Sequence, residues 1–375
     1  MKILILLGPF SSFSEKSYGG VEKLWLTMGK KFKEYGNDVT FISKKFKHNS
    51  ESKIKNGILF NRIRGYSSPK NKFLRLILDL VYTIKAALIL SKGTDIIVTN
   101  SFWSPIIFPF FISKKSKIYV DVARMPKGQM FLYRFASRLR VNTKIVKYNI
   151  MKEVSGKIIK KIKIIPPSLP FESPDNINFL KKKSLIVYLG RIHEEKGIEL
   201  FIDALQHVNL NKWKVRIIGP WKISDGGSGL NYKNFLLKKI PNKSVSIENP
   251  ISSKKIFELY KETSIFVYPS LAKNETFGLS VAEFMSYGAA PIVSSLSCFK
   301  DYIKNNINGM RFNHKSKNSS LLFARCLKTL INNKKIRFKI SKNAFEINKT
   351  HSVDIIAKRF LTDFHLLIKP KVNKK

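Results

Sequence analysis

Two carboxylates lie eight positions apart in the segment NETFGLSVAEFMSYGAAP, residues 274–291. Glu275 follows the apolar run SIFVYPS, which is typical of a buried strand, and Glu283 would lie about one and a half turns into the next helix. Carboxylates only accept hydrogen bonds, so hydroxyl pairs on a sugar ring or a ribose are suitable ligands for them. The spacing predicts a site that holds two parts of one long polyhydroxy ligand. Two glutamates on a solvent-exposed helix are the alternative.

The start of that predicted helix has a second chemical feature. The first N–H groups of a helix have no partner inside it. Those of Phe277, Gly278 and Leu279 would therefore be free to bind the phosphate or sugar oxygens of a ligand.

A second segment, GRIHEEKG at residues 190–197, contributes two cations. It follows an apolar strand and precedes a helix, so we expect Arg191 and Lys196 to reach the ligand-binding edge of a sheet. A cation at about 4 Å contributes roughly 4 kcal/mol to a diphosphate that gains charge as it leaves a sugar, at an effective dielectric near 20. A solvated charged loop is the alternative. His193 has no Cys or His partner at metal-ligand spacing, so we expect no metal role for it.

A pair of glycines, Gly19 and Gly20, precedes the first predicted helix. Without a Cβ atom, the backbone can approach a phosphate or a sugar closely. An ordinary turn is the alternative interpretation.

The elements around these loops follow one order: strand, loop, amphipathic helix, strand. The first helix has apolar residues at helical spacing, namely Val21, Leu24, Trp25, Met28, Phe32 and Tyr35. The order restarts near residue 185, where the helical stripe is Ile198, Phe201, Ile202, Leu205 and Val208. Such alternation predicts an α/β fold with two doubly wound, Rossmann-like parallel sheets, one in each of two domains that face each other across a cleft.

The domain boundary is predicted in the proline-rich segment KIKIIPPSLPFESPDN, residues 161–176. We therefore assign residues 1–167 to an N-terminal domain and residues 168–351 to a C-terminal domain. The helical pattern that begins at residue 352 has apolar spacing of its own.

The composition excludes several classes of protein. The chain has 375 residues, of which 44% are hydrophobic, and only two cysteines without a CxxC motif, so disorder, disulfide scaffolds and zinc ribbons are not indicated. The net charge of +44 has two interpretations: a genome that favours lysine codons, or a basic surface for anionic lipid or phosphate-rich substrates. Nucleic-acid binding is not favoured, because the lysines lack interleaved Arg and aromatic residues.

No signal peptide is recognisable at the start, MKILILLGPF. The most apolar segments, residues 72–90 and 102–112, are interrupted by charges or by prolines and are not convincing membrane spans. We expect a cytoplasmic protein, at most peripheral on the inner face of the cell membrane. The aromatic segment 102–112 is interpreted as core, with an apolar acceptor surface as the alternative.

Taken together, these segments resemble the retaining glycosyltransferases of the GT-B fold, family 4 (glycosyltransferase group 1). The resemblance rests on GGVE at 19–22, LGRIHEEKG at 189–197, the segment 265–295 and the NG at 308–309. Within 265–295, the two glutamates meet the E-x7-E signature with FGL in register. The resemblance covers most of the chain.

The resemblance implies transfer of a hexose from a nucleotide-diphosphate sugar with retention of the anomeric configuration. The leaving phosphate would act as the base for the incoming hydroxyl. Arg191 and Lys196 would stabilise the diphosphate, and with Glu275, which would contact the transferred sugar, they are the expected catalytic residues. Glu283 would hold the ribose hydroxyls.

The resemblance also implies an acceptor-binding domain at 1–167 and a nucleotide-sugar-binding domain at 168–351, with the C-terminal helix 352–370 crossing back to the first. Gly19 and Gly20 would lie near the donor phosphates. No metal or other cofactor is expected, and the chain has no DxD motif, in agreement.

One position departs from the family pattern. Many relatives carry a histidine at the end of an N-domain strand, where this chain has Asp121 in the segment 117–129. An aspartate can accept a sugar hydroxyl but has no N–H to donate. Arg124 and Lys127 could face donor or acceptor phosphates, and a basic exposed loop is the alternative.

Three functions remain open. The first is a transferase for lipopolysaccharide, O-antigen or capsule biosynthesis, with a lipid-linked or oligosaccharide acceptor and peripheral contact with an anionic membrane. The second is transfer to a soluble sugar or sugar phosphate. The third is a non-catalytic basic protein that binds membrane or nucleic acid, although the four charged residues speak against it. If the site is correct, replacing Glu283 or Lys196 by Ala should abolish transfer with little change in melting temperature.

Overall fold

The computed structural model describes residues 1–10, 19–45, 52–91 and 93–369, and the chain divides into two compact units. The first unit is Met1–Phe171 together with His351–Lys375, and the second is Glu172–Thr350. Residues 168–171 and His351, which were predicted to lie in the second domain, thus belong to the first unit.

The first unit is built on an eight-stranded sheet in the described residues, with the order β3-β4-β2-β1-β5-β6-β7-β8. All pairs are parallel except the edge pair of β3 and β4. The strands are β1 (Lys2–Leu6), β2 (Asp38–Lys44), β3 (Ser52–Lys55), β4 (Ile58–Ile63), β5 (Ile96–Thr99), β6 (Lys117–Val122), β7 (Arg138–Val141) and β8 (Ile162–Ile164).

Helices cover both faces of this sheet. They are α1 (Gly20–Glu34), α2 (Lys72–Leu88), α3 (Ser104–Ile107), α4 (Lys144–Glu153) and, from the end of the chain, α12 (Val353–Ile368). Short 3-10 helices lie at Phe108–Phe110, Met130–Tyr133 and Gly156–Lys161. β1 is buried on both faces, with Ile3 and Ile5 in the core that contains α1 and α12, and Leu4 and Leu6 in the core that contains α2 and α4. This double burial explains why β1 is a continuous apolar run.

The second unit has a six-stranded parallel sheet in the order β11-β10-β9-β12-β13-β14. Its strands are β9 (Lys183–Leu189), β10 (Lys214–Ile218), β11 (Val245–Glu248), β12 (Thr263–Tyr268), β13 (Ala290–Ser294) and β14 (Met310–Phe312). Its helices are α5 (Ile198–Leu205), α6 (Leu230–Lys239), α7 (Ser253–Glu262), α8 (Leu279–Ser286), α9 (Ser319–Asn332) and α10 (Lys334–Phe345). Four short 3-10 helices lie at Phe179–Lys181, Glu194–Lys196, Ile223–Asp225 and Ser297–Asp301. The short helix α11 (Asn348–His351) returns the chain to the first unit.

The last helix, α12, closes the core of the first unit. The Phe360 and Phe364 rings pack against Trp25, Phe32 and Tyr119, with centroids 4.8–6.3 Å apart. Its buried Asp363 accepts hydrogen bonds from the Tyr119 hydroxyl at 3.0 Å and from Arg138 Nη2 at 2.7 Å. The aromatic packing and the buried ion pair fix the end of the described chain onto α1 and the sheet.

The prediction of an α/β fold with two doubly wound parallel sheets is confirmed. The apolar stripe predicted for α1 is buried except at its two ends. Val21 is half-buried, and Tyr35 is the exposed C-cap just beyond the helix. Among the described residues, no helix is both long and apolar enough to cross a membrane.

Candidate functional site

The two charged loops of the second unit lie at the carboxyl ends of adjacent strands. β9 ends directly before Gly190, β12 ends at Tyr268, and the two strands pair in parallel. The chain proceeds from β9 outward to β11 on one side, and from β12 outward to β14 on the other. The gap between β9 and β12 is therefore the topological switch point of the sheet, where ligands of such folds bind.

Glycines allow the loops around this point to pack closely. Gly197 has a φ of +67°, and a Cβ there would lie 2.2 Å from the Pro269 carbonyl oxygen. Gly278, the N-cap of α8, has a φ of +80°, and a Cβ there would lie 2.7 Å from the Phe299 ring. The Leu271 N–H also donates to the Glu195 carbonyl at 2.8 Å. The loop after β9 and the loop after β12 are thus packed against each other and joined by a backbone hydrogen bond.

Lys196 and Glu275 form an ion pair at this junction. Lys196 Nζ lies 2.8 Å from Glu275 Oε2, and the two side chains are 10% and 13% exposed. The Tyr268 hydroxyl lies between them, accepting from Lys196 Nζ at 3.2 Å and donating to Glu275 Oε2 at 3.0 Å. The predicted cation and acid are thereby brought together, although 79 residues separate them in sequence.

The pair retains capacity for a ligand. An ammonium group has three N–H donors, and the described chain supplies Lys196 with two acceptors, Glu275 and Tyr268. Within the same described residues, no donor reaches Glu275 Oε1, since the recorded hydrogen bonds all end on Oε2. One N–H for an anion and one carboxylate oxygen for a hydroxyl therefore remain available.

The tyrosine that joins the pair stays protonated. Burial, and secondly the charge of Glu275, raise the pKa of Tyr268 well above its ordinary value. Its hydroxyl therefore remains a donor to the carboxylate at any physiological pH. The neighbouring Tyr188 ring stacks on Tyr268, with centroids 6.0 Å apart and an angle of 12° between the ring planes, and its hydroxyl donates to the Arg191 carbonyl at 2.8 Å.

Arg191, the other predicted cation, is held differently. Its Nη2 donates to Glu195 Oε1 at 2.8 Å, and its Nη1 donates to the Gly226 carbonyl at 2.6 Å. The side chain is 40% exposed, and its remaining N–H groups have no acceptor among the residues that the structure describes. Arg191 is thus anchored in the same loop as Lys196, with part of its guanidinium open to an anion.

Glu283 occupies a separate, more buried position in α8. Only 7% of the residue is exposed, and Oε2 accepts the Tyr260 hydroxyl from α7 at 2.9 Å. Burial, and secondly the charge of Glu283, raise the pKa of Tyr260 well above its ordinary value, so this phenol also remains a donor. The alternative of two glutamates displayed on a surface helix is therefore wrong.

The helix that carries Glu283 starts later than predicted, after Phe277 and Gly278 rather than at them. α8 begins at Leu279, so the N–H groups of Leu279 and Ser280 have no acceptor within the helix. Phe277 is buried, stacks on Tyr302 with centroids 4.7 Å apart, and accepts the Tyr302 hydroxyl at its carbonyl. The prediction for Phe277 concerned its backbone N–H group. The structure shows in addition that its ring packs in the core of this region.

The predicted glycine pair lies at the start of α1 in the first unit. Gly19 is the N-cap, and the Glu22 carboxylate folds back so closely that a Cβ on Gly19 would lie 1.9 Å from Oε2. A Cβ on Gly20 would meet nothing within 4 Å. Gly20 therefore presents open backbone, whereas Gly19 is covered by Glu22. The preceding residues 11–18 lie outside the described chain.

Asp121, the predicted sugar contact, is engaged in the core. Oδ1 accepts from Arg140 Nη1 and Oδ2 accepts from Trp25 Nε1, both at 2.7 Å, and the carboxylate is fully buried. Arg140 also donates from Nε to the Ile165 carbonyl at 2.6 Å. This geometry argues against the expected sugar contact, because the carboxylate is fully buried and is already paired with Arg140 and Trp25. The sequence pattern could not reveal that Trp25 and Arg140 converge on this side chain.

Arg124 and Lys127 lie in the loop after β6 and are exposed. The Lys127 backbone N–H donates to Gln129 Oε1 at 2.7 Å, which orders the loop. Their predicted contact with phosphate stays a prediction.

No three His, Cys, Asp or Glu side chains of the described residues converge as metal ligands would. His193 instead caps the 3-10 helix Glu194–Lys196, where its Nδ1 accepts the Glu195 N–H at 3.2 Å. The expectation that no metal takes part stays a prediction.

Two tyrosines that hold the acids, Tyr268 and Tyr260, were not predicted from the sequence. Tyr268 is the last residue of β12, so the rule that placed Glu275 at this edge of the sheet could have included it. Tyr260 could not be found this way, because its contact with Glu283 depends on how α7 packs against α8.

Residues 171–347 match the family model for Glycosyl transferases group 1. The match covers nearly all of the second unit. Among curated relatives, the chain is 26% identical over 194 residues to the N,N'-diacetylbacillosaminyl-diphospho-undecaprenol alpha-1,3-N-acetylgalactosaminyltransferase of Campylobacter jejuni. The match covers 52% of this chain and 47% of that protein. In the curated relatives as a group, the matched stretches span from 29% to 65% of their lengths.

Solved structures resemble the whole fold. Sucrose-phosphate synthase from Thermosynechococcus elongatus aligns with a TM-score of 0.76 at 15% identity, over 97% of this chain and 98% of that chain. HepE of Anabaena in complex with UDP-glucose aligns with a TM-score of 0.70 at 17% identity, over 98% and 100% of the two chains. The GT-B fold expected from the sequence is confirmed.

Proposed function

We propose that this chain, built around a glycosyl transferases group 1 domain, is a retaining family 4 enzyme that transfers a hexose from a nucleotide-diphosphate sugar to a membrane-associated glycan acceptor. The acceptor belongs to the lipopolysaccharide, O-antigen or capsule type. The relative from Campylobacter jejuni is named for a transfer onto a diphospho-undecaprenol glycan, and this name supports a lipid-linked acceptor. The reaction is assigned no metal or other cofactor.

The Lys196–Glu275 pair is the observation that carries the proposal. Its open N–H and its open carboxylate oxygen lie at the switch point of the sheet, within a group 1 domain. In the proposed complex, Lys196 and Arg191 bind the diphosphate of the donor. Glu275 accepts a hydroxyl of the transferred sugar, and the first N–H groups of α8 bind sugar or phosphate oxygens.

The chemistry that follows is charge stabilisation at the leaving group. As the bond between the anomeric carbon and the phosphate oxygen breaks, negative charge builds on the diphosphate. Lys196 and the open part of Arg191 are fixed before the reaction by Glu275, Tyr268 and Glu195, so they need little reorganisation. Glu283 receives the ribose hydroxyls, with its orientation set by Tyr260.

The test is release of nucleoside diphosphate from UDP-, GDP- and ADP-sugars, with and without a lipid-linked oligosaccharide acceptor. We expect one donor class to give acceptor-dependent release, and Glu275→Gln to reduce it at least about a hundredfold. Glu346→Gln is the matched control, since Glu346 forms an exposed ion pair with Lys349 in the same unit. Release that depends on a soluble sugar phosphate instead would overturn the acceptor assignment. Equal rates for Glu275→Gln and wild type would overturn the site.

A further inference from the structure

The outward face of α2 is more apolar than its inward face. Phe73, Ile77, Ile84 and Leu88 recur at spacings that place them on one side of the helix, and they are 72%, 41%, 40% and 72% exposed. The fully buried residues of α2 are Asp79, Tyr82, Thr83, Ala86 and Ala87, which include no large aliphatic side chain. A helix on the surface of a soluble domain normally has the reverse arrangement. We call the four outward residues the α2 stripe; at 1.5 Å per residue, the helix that carries it is about 25 Å long.

The charges around the α2 stripe are positive. Lys70 and Lys72 lie exposed at the start of the helix, and Lys85 lies in its last turn. The only acidic residue of α2, Asp79, points inward, where its carboxylate accepts hydrogen bonds from the Ser101 hydroxyl and from backbone N–H groups at 3.1–3.3 Å. The exposed side of α2 therefore combines large apolar side chains with cations.

A neighbouring segment repeats this combination. Phe110 and Phe111 are 77% and 48% exposed, and exposed Lys114 and Lys115 follow. The segment continues from α3, which packs against α2, and Trp103, just before α3, donates from Nε1 to the Leu76 carbonyl at 2.8 Å. Both apolar-basic surfaces belong to the same part of the first unit.

We propose that the α2 stripe, with Phe110 and Phe111, docks on an anionic lipid bilayer. An interfacial helix has this composition, with Phe and Leu entering the boundary of the acyl chains and Lys or Arg meeting the headgroups. The net charge of +44 attracts the whole chain to anionic lipid. A second copy of the chain is the less suitable occupant, because two molecules of the same high charge repel each other.

This inference deepens the proposed function, since a lipid-linked acceptor is itself held in a bilayer. It does not depend on sugar transfer: lipid binding is measured without a nucleotide sugar. The two proposals can therefore fail separately.

The experiment is co-sedimentation of the full chain with vesicles of phosphatidylcholine alone or with about one third phosphatidylglycerol. We expect binding to the phosphatidylglycerol vesicles, weakened by high salt, and little binding to phosphatidylcholine alone. The variant Phe73→Ser/Ile77→Ser/Leu88→Ser should bind at least about tenfold more weakly, because it removes three side chains that would enter the lipid. Circular dichroism melting checks that the variant is folded, and the exposure of the three side chains predicts that it is.

A matched control carries the same kind of change in the second unit. Leu180→Ser/Ile223→Ser/Phe338→Ser removes three apolar side chains that are 84%, 77% and 47% exposed, and it should bind vesicles like wild type. The proposal is overturned if wild type ignores phosphatidylglycerol vesicles, or if both triple variants lose binding equally. A lipid-free dimer in sedimentation velocity that the α2 variant abolishes would instead assign this face to a second copy of the chain.

Discussion

Lys196 and Glu275 form an ion pair at 2.8 Å, and both contact the Tyr268 hydroxyl. The pair lies at the topological switch point between β9 and β12 of the second sheet. The loop after β9 contributes the cation and the loop after β12 contributes the acid. Because both side chains are nearly buried, neither can be removed without leaving the other partly unpaired.

This geometry changes the stability expected of Lys196 variants. Loss of Lys196 alone should lower the free energy of unfolding by about 3 kcal/mol, because a largely buried carboxylate then lacks its cation. The double variant Lys196→Met/Glu275→Gln should recover part of this loss. A double-mutant cycle by chemical denaturation measures the coupling, which we expect to be about 1–3 kcal/mol. If the coupling is near zero and the Lys196 variant is as stable as wild type, its melting temperature is unchanged, as was first expected from the sequence.

Glu283→Gln should weaken binding of the nucleotide sugar about ten- to hundredfold, because an amide replaces the charged group that is proposed to accept the ribose hydroxyls. Titration calorimetry with the donor measures this. Tyr260→Phe is the companion variant: it keeps the carboxylate but removes the hydroxyl that orients it. A smaller loss is expected there, and equal affinity in Glu283→Gln and wild type would exclude a ribose contact.

Asp121→Asn tests the role of the position where the family pattern is broken. Because Asp121 pairs with the buried Arg140 and accepts from Trp25, we expect the free energy of unfolding to fall by about 3–5 kcal/mol. The affinity of the folded variant for nucleotide should stay like that of wild type. If the aspartate contacts sugar instead, transfer would be lost while the melting temperature is retained.

Lys182 predicts a pH dependence of stability. Burial lowers the pKa of Lys182 to about 7, and its Nζ donates to the Tyr260 carbonyl at 2.9 Å. The unfolded chain, with a lysine pKa near 10.4, binds more protons between these two values, so this group makes stability rise with pH there. Lys182→Met removes the group. The variant should therefore gain most stability over wild type below pH 7, where the buried lysine is charged in wild type. This difference in unfolding free energy should shrink as the pH approaches 10, as urea denaturation at several pH values would measure. A difference that does not vary with pH would contradict the lowered pKa.

The sequence was sufficient for the fold and for the loops of the site. Apolar runs alternating with helical stripes predicted both parallel sheets. The positions of Lys196 and Glu275, each after an apolar strand, predicted that both loops lie at the ligand-binding edge of the sheet, but not that the two side chains form an ion pair. The sequence could not predict the partners of individual side chains. Asp121 has the pattern of a polar residue at a strand end, and only the packed structure shows that Trp25 and Arg140 donate hydrogen bonds to its carboxylate. The apolar segment 102–112 was predicted as core, and it is split: Phe108 is fully buried, whereas Phe110 is largely exposed.

The most direct test of the account is calorimetric titration of UDP, GDP and ADP into the wild-type chain and into Lys196→Met. The open N–H of Lys196 at the switch point predicts that wild type binds one of the three diphosphates. The folded variant should bind it at least about tenfold more weakly, which corresponds to about 1.4 kcal/mol. Lys349→Met, which removes an exposed lysine of the same unit, should bind like wild type. If no diphosphate binds to wild type, or if Lys196→Met binds as tightly, the proposed role of the Lys196–Glu275 pair is wrong.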